Sequence, residues 1–475
     1  MDSGTPVTTL SRRTALRAGA LAAGLSVTGL AASRSARARA DESVTVATRN
    51  LGLGANLFAL FFVRSEDELA ETVGTLYRDV RASSVPERMA AVADELATHE
   101  PDIVGVQEAA LVRTDDSAEA TSLGETNADH VVVDFLAELT ATLAERGAPY
   151  EVAQVTTNAD AEFPAATDDG RLDVRLTDRD AVLVREGADV SVESASQTHF
   201  DAALEMPVDG ETYRLERGYG VVRATVRGRD VSVVNTHLES ASERVRNAQA
   251  TQLEETLSSL DDPLVVLGDL NDSPEYGGGA YETLSADFTD AWATARPDDA
   301  GYTCCQDPTL GNERSLLDER VDHVLVRGGP TPAEAVLVGA SPSDRVDGSD
   351  GRTLWPSDHA GVIATLQWRA DGSGSVRERT ASADEAASGT ATPTNRTAAP
   401  TRTEDPRNET AANETAANGT ANATRGAAND SGAAGPGSEV TSDAEAPGFG
   451  PVAGLAGVVG GVAALVRRTR RGGDD

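Results

Sequence analysis

The chain predicts an α+β layered sandwich with helices outside two sheets. Two observations carry that prediction. Short apolar runs, largely β-branched, recur between residues 43 and 369, and the gaps between them mix hairpin lengths with helix lengths. Strands are expected at Val44–Thr48, Ile103–Val106, Ala181–Val184, Val221–Val226, Val231–Asn235, Leu264–Leu267, Val324–Val326 and Val362–Leu366. Helices are expected over Glu66–Arg81, Pro86–Thr98, His130–Arg146 and Ser242–Ser259. In the second of these, Met89, Val92, Ala93 and Leu96 follow helical spacing, and Pro86 suits a first helical turn. No internal repeat is visible.

Several runs stop at, or next to, a polar residue. Asn50 closes one, Glu108 follows Ile103–Val106 and His237 follows Val233-Val234-Asn235-Thr236. Asp269 and Asn271 follow Leu264–Gly268, and Asp358-His359 precedes the last strand. A buried strand that stops at a polar residue delivers it to the rim of a sheet. Carboxylates delivered this way suit Mg²⁺, which prefers one or two carboxylates with water and phosphate oxygens. On a strand-like segment, Asp269 and Asn271, two apart, would share one face, one polarising a water and the other holding it. A strand-end histidine can donate to a phosphate oxygen or move a proton. Asp322, in Arg320-Val321-Asp322-His323, can orient His359 as a carboxylate orients a catalytic imidazole.

Taken in order, these motifs resemble the endonuclease/exonuclease/phosphatase superfamily, the deoxyribonuclease-I-like fold, over Val44 to Leu366. The resemblance implies a four-layered α/β sandwich of two mixed sheets flanked by helices, and Mg²⁺-dependent phosphoester hydrolysis, with Mn²⁺ as a substitute. By motif, it places Asn50, Glu108 and Asp358 at the metal. Asp269 and Asn271 orient the attacking water, His237 and His359 stabilise the phosphate or protonate the leaving group, and Asp322 stands behind His359. One departure is His323, where the family often has tyrosine after the aspartate. Thr303-Cys304-Cys305-Gln306 together with Arg320-Val321-Asp322 also resembles a secreted subgroup. Arg64–Val85 and Leu111–His130 match nothing specific to the family and are expected to frame the substrate groove. Leu57–Phe62 is expected to be buried core; exposed, it would suit a lipid-facing enzyme.

The chain of 475 residues carries 77 acidic against 41 basic residues, all arginine, for a formal charge of −36. Such a chain self-repels in dilute salt, and the pattern resembles proteins of extreme halophiles. At about 1 M salt the screening length is only ~3 Å, so an acidic face does not exclude a nucleic-acid substrate. Two cysteines, Cys304 and Cys305, exclude a disulfide framework. A vicinal disulfide is conceivable; two thiols packed as small apolar groups is the expected state.

Both ends read as addresses. Residues 1–40, with Arg12-Arg13 before an apolar run, resemble a twin-arginine export signal. The catalytic domain is expected over 41–370. Residues 371–446 are rich in Ser, Thr, Ala, Asn, Glu and Gly and predict a disordered stalk. It holds glycosylation acceptors at Asn395, Asn408, Asn413, Asn418, Asn422 and Asn429. Residues 447–475 pair Pro447-Gly448-Phe449 with an apolar run and a basic cluster, resembling an archaeal PGF-type sorting signal; a permanent membrane anchor is the plain alternative. The expected partners are the export machinery, an archaeosortase-like processing enzyme, the membrane and a phosphoester substrate, for a monomer on the outer face of the cell. The first reading of function is a phosphodiesterase, a nuclease on extracellular DNA or RNA. A phosphomonoesterase or lipid-headgroup phosphodiesterase is the alternative, and a catalytically dead binding module the distant third.

Overall fold

The computed structural model describes residues 43–116, 126–208 and 211–368. The two terminal addresses and the stalk lie outside the described residues. In chain order the first strands are β1 (Ser43–Asn50), β2 (Ile103–Gln107), β3 (Leu111–Asp115), β4 (His130–Asp134), β5 (Tyr150–Thr167) and β6 (Gly170–Arg185). They continue as β7 (Val190–His199), β8 (Leu204–Val208), β9 (Glu211–Leu215), β10 (Gly218–Val226), β11 (Arg229–His237) and β12 (Leu264–Asp269). The last are β13 (Thr289–Asp290), β14 (Asp322–Arg327), β15 (Thr331–Val338), β16 (Val346–Asp347), β17 (Thr353–Leu354) and β18 (Gly361–Gln367). The helices are α1 (Glu66–Ala82), α2 (Val85–His99), α3 (Phe135–Glu145), α4 (Glu243–Ser259), α5 (Ala280–Ser285) and α6 (Ala291–Ala295).

One sheet runs β15-β18-β1-β2-β6-β3-β4, with β5 also paired to β6. The other runs β13-β14-β12-β11-β10-β7. Both are mixed: β1–β2 and β11–β12 are parallel, their other pairings antiparallel. Side-chain alternation assigns the layers. Val44, Val46, Ile103, Val182 and Val184 of the first sheet share a core with Val233, Val265, Leu267, Val324 and Val326 of the second. Their neighbours Val104, Val106, Ala181 and Leu183 turn outward to Val73, Met89, Leu96, Phe135 and Leu139 of α1, α2 and α3. On the far side Val234, Leu264, Val266 and Leu325 meet Leu253 and Leu257 of α4 and Leu284 of α5. Helices, sheet, sheet and helices make four layers, as the family resemblance implies.

All eight expected strands form. The expected helix over His130–Arg146 divides in two. Val131, Val132 and Val133 are β-branched and pair with β3, while the Asp134 carboxylate accepts from the Ala137 amide and starts α3 only there. Leu57–Phe62 is not core: it is a short 3₁₀ helix with no buried residue, and Phe62 is 64% exposed. The Arg64–Val85 segment forms α1 on the outer face of the first sheet. Gly74 lets α1 lie on β5, where an added Cβ would fall 1.9 Å from the Ala166 carbonyl oxygen. Within Leu111–His130, residues 117–125 lie outside the described residues.

One polar side chain crosses the inner core. Asn235 of β11 donates from Nδ2 to the carbonyls of Val106 (3.1 Å) and Ala181 (3.0 Å), and its Oδ1 accepts from Gln107 Nε2 at 2.7 Å. Gly105 faces it; a Cβ there would lie 2.5 Å from Asn235 Oδ1 and 2.9 Å from Leu267 Cβ. Asn235→Ala strands the buried Gln107 amide and should cost about 1–3 kcal/mol in chemical denaturation. Gly105→Ala should cost a similar ~1–3 kcal/mol through overpacking. The double variant should be less destabilised than the sum, because the second change removes the clash made by the first. Strict additivity would show that the two sheets are not keyed at this point.

Candidate active site

Strand register brings the polar ends together. Asn50 pairs with Gln107 across β1–β2, His237 with Asp269 across β11–β12, and Asp269 with Asp322 across β12–β14. The loop entering β18 adds Ser357, Asp358 and His359. Ser357 Oγ donates to the Asn50 carbonyl (2.8 Å) and accepts from the His359 amide (3.1 Å), so this loop is tied to the end of β1.

Asn50 is the hub. Its Nδ2 donates to Glu108 Oε1 at 3.2 Å and Asp269 Oδ2 at 3.0 Å, while its Oδ1 accepts from the Gly52 amide at 2.9 Å. Glu108 Oε2 accepts from the Leu53 amide at 2.9 Å. Glu108 has φ +52°, so β2 ends in a left-handed residue that turns its carboxylate to Asn50. Asp358 lies against Gly52, where a Cβ would sit 2.3 Å from Asp358 Oδ1. Only glycine combines that approach with the φ of +64° found there.

Asp269 and Asn271 do not share a strand face, because β12 ends at Asp269. The Asn271 amide donates back to Asp269 Oδ1 at 2.8 Å, Asn271 takes φ +49°, and its Nδ2 donates to the Leu238 carbonyl at 2.8 Å. The segment is an Asx turn that aims the carboxylate, a geometry short polar residues favour over a continuing strand.

The two histidines are held oppositely. Arg217 Nη1, which can only donate, lies 3.0 Å from His237 Nδ1, leaving the proton on Nε2, 3.5 Å from Asp269 Oδ2. Burial, then the Arg217 charge, hold His237 well below the usual imidazole range. His359 Nδ1 lies 2.8 Å from Asp322 Oδ2 and 3.7 Å from Asp269 Oδ2. Burial opposes charging that ring, but Asp322, then Asp269, outweigh it and hold His359 well above its ordinary range. One ring is thus neutral and the other charged, the separation that distinguishes acid from base in paired sites. His323, the departure in the motif, is a buried structural ring: its Nδ1 faces Arg320 and its Nε2 the Asp272 carbonyl.

All eight expected residues reach this edge. Asp178, Arg179 and Asp180 also reach this edge, but they lie inside β6 just before its apolar run from Ala181, so no strand end marks them in the sequence. Asn158 Nδ2 donates to Asp180 Oδ2 at 2.9 Å, and Arg217 Nη1 donates to Asp178 Oδ2 at 2.9 Å. Burial, then Asp178, raise Asp180 well above the carboxylate range. Two buried arginines were missed as well. Arg88 donates to the carbonyls of Leu51, Gly52 and Pro356, and Arg49 to those of Asn50 and His359. Burial lowers Arg88 to about 10. The only sequence signal for Arg49 is a charge inside an apolar strand.

The expected pair of packed thiols is not what forms. The sulfurs of Cys304 and Cys305 are joined to each other, with Cys304 buried and Cys305 exposed.

The oxygen donors fit a hard divalent cation. Burial, then Asp358 and Asp178, raise Glu108 to about 7, and burial, then Asp322, raise Asp269 to about 6. Carboxylates so crowded favour whatever neutralises them, a proton or a metal ion. Glu108 in the folded chain titrates above its unfolded value, so its contribution favours folding at low pH and is lost as pH rises towards about 7. A divalent cation restores it where protons no longer compete. Mg²⁺ or Mn²⁺ should therefore raise the melting temperature more at pH 7.5 than at pH 5, and Glu108→Gln should abolish most of that difference. Equal shifts at both pH values would remove Glu108 from the cation site.

The family model described as "Endonuclease/Exonuclease/phosphatase family" matches residues 76–359. A family member from Bacteroides thetaiotaomicron is 16% identical with TM-score 0.44, covering 69% of this chain and 98% of its own. A mannosyl-6-phosphatase of the same organism is also 16% identical with TM-score 0.44, covering 69% and 100%. Truncated TDP2 from Caenorhabditis elegans is 18% identical with TM-score 0.40, covering 68% and 97%. No curated protein matches the chain. With its ordered strand-end motifs and a model match over most of the described fold, the chain belongs to the endonuclease/exonuclease/phosphatase family and is a metal-dependent phosphoester hydrolase.

Proposed function

We propose that this hydrolase is a Mg²⁺-dependent phosphodiesterase, a nuclease that cleaves extracellular nucleic acid by attack of water at phosphorus. The observation that carries the reading is the opposition of two histidines across one carboxylate. Asp269, aimed by its turn and by Asn50, accepts the proton of the attacking water. His237, neutral, offers Nε2–H to a phosphate oxygen. His359, charged and oriented by Asp322, gives its Nε2 proton to the leaving oxygen. Positioning of this kind needs no covalent nucleophile. Glu108 and Asp358, with Asn50, are the residues that would hold Mg²⁺, which neutralises charge on the phosphate when bound.

Export and tethering belong to the same proposal. They rest on the twin-arginine pattern in 1–40, the acceptor-rich stretch 371–446 and the tripartite pattern in 447–475. Among the described residues no helix is long and apolar enough to cross a membrane. Processing at Pro447-Gly448-Phe449 and attachment to the outer face of the membrane follow from that reading.

The exposed helix Leu57–Phe62 favours a second reading, a lipid-headgroup phosphodiesterase. Phe58 is 47% exposed, and this run starts seven residues after Asn50. The assay is turnover in multimolar KCl with Mg²⁺, against plasmid DNA, RNA, phosphomonoesters and ether phospholipids. DNA or RNA cleavage without headgroup or phosphate release is the expected result; headgroup release alone would replace the first reading with the second. Asp269→Ala and His359→Ala should each lower kcat by at least ~10²-fold, the lower scale for positioned acid–base groups, with the far-ultraviolet circular dichroism unchanged. Near-wild-type turnover by both variants would sink the mechanism.

A further inference from the structure

We propose that Cys304, Cys305 and His359 form a second metal site, selective for a soft divalent cation such as Zn²⁺, that opens when the cysteine pair is reduced and withdraws His359 from phosphoester chemistry when filled. One ligand atom from each residue lies within 4.8 Å of the others, and Cys305 Sγ stands 3.9 Å from His359 Nε2. Cys304 and His359 are buried while Cys305 is exposed, so solvent reaches the cluster from one side.

The backbone holds this arrangement in place. The Gln306 amide donates to the Asp358 carbonyl at 2.8 Å, and the Ala360 amide to the Thr303 carbonyl at 2.8 Å. These two bonds bracket His359 on one strand of chain and the cysteine pair on the other. The Cys304 and Thr303 amides both donate to the Glu319 carbonyl, at 2.9 and 2.7 Å, pinning the pair from behind. Asp322 adds the feature most telling for a metal. It engages Nδ1, which leaves Nε2 to face the sulfurs, and a carboxylate behind a ligating imidazole is the usual support of a zinc histidine. Two thiolates and one imidazole select Zn²⁺ over Mg²⁺ and leave a fourth position for water.

The chemistry balances. A small dithiol reductant breaks the Cys304–Cys305 bond, supplies two electrons and two protons to the sulfurs, and leaves as its own disulfide. Metal binding then releases both thiol protons, and any proton on His359 Nε2, to solvent. The inhibitory half rests on the hydrolase role of His359; the binding half does not.

The test uses the full chain, reduced with dithiothreitol, freed of reductant without air, and titrated with Co²⁺ as a spectroscopic probe. The reduced protein should show a thiolate-to-cobalt charge-transfer band saturating at one ion per chain, bleached by Zn²⁺; the oxidised protein should show none. Cys305→Ser, or alkylation of the reduced wild type, should abolish the band, and His359→Asn should weaken binding at least ~10-fold. In parallel, Zn²⁺ should inhibit Mg²⁺-supported turnover of the reduced protein only. A reduced protein without the band, or binding unaffected by His359→Asn, overturns the site. A band with its expected variants but no turnover on any phosphoester supports the site and counts against the proposed hydrolase chemistry instead.

Discussion

The geometry of the catalytic edge depends on how the two sheets are keyed, and Asn235 does the keying. It lies two residues before His237 on β11 and binds the carbonyl of Val106, two residues before Glu108 on β2. The chain Thr48–Gln107–Asn235 then links three strands by buried side-chain hydrogen bonds. An amide satisfied on three sides in an apolar layer has few alternatives, since any shift leaves polar groups unpaired. A slip of one residue would present Val234 or Thr236 to the inner core and turn the histidine to the other face. The sheets could slide over a purely apolar interface at modest cost; over this one they cannot.

Around that keyed edge, arginine supplies what lysine would not. The forked guanidinium of Arg88 reaches carbonyls in two separate loops, 51–52 and 356, and that of Arg49 reaches 50 and 359. A point charge with three donors on a flexible stem holds such loops less rigidly. These cations also sit beneath a crowd of carboxylates. Bulk salt screens surface charge, but it screens buried charge much less. The acidic surface and the buried arginines therefore answer to different conditions, the first to the solvent and the second to the fold.

Eight strands were legible in the sequence because each holds a short apolar run, and the site was legible because its residues sit where those runs stop or begin. The rest was hidden for physical reasons. The long β5–β6 hairpin carries Thr, Asn, Asp and Glu through its length and shows no apolar run until Ala181, so only its last turn was visible. Asp178 and Asp180 shared that obscurity. His130–Asp134 was read as helix because Phe135, Leu136 and Leu139 continue a helical pattern behind it; the pairing with β3 is tertiary and outweighs local propensity. Leu57–Phe62 is apolar enough to be core, yet it forms a 3₁₀ turn with no buried residue, and Leu60 packs only partly buried against the core. No local spacing shows the Asx turn at Asn271, because the same residues would alternate in a strand.

His359 Nδ1 donates to Asp322 Oδ2 at 2.8 Å, while Asp269 Oδ2, at 3.7 Å, lies beyond hydrogen-bond reach and acts on the ring only through its charge. Asp269 in turn stands between both imidazoles. Orientation of the His359 ring therefore falls to Asp322, while Asp269 acts on both rings through its charge. Residues wired this way do not divide their effect into separate shares. What the fold has built at this edge is one carboxylate felt by two rings and a second that orients only one of them.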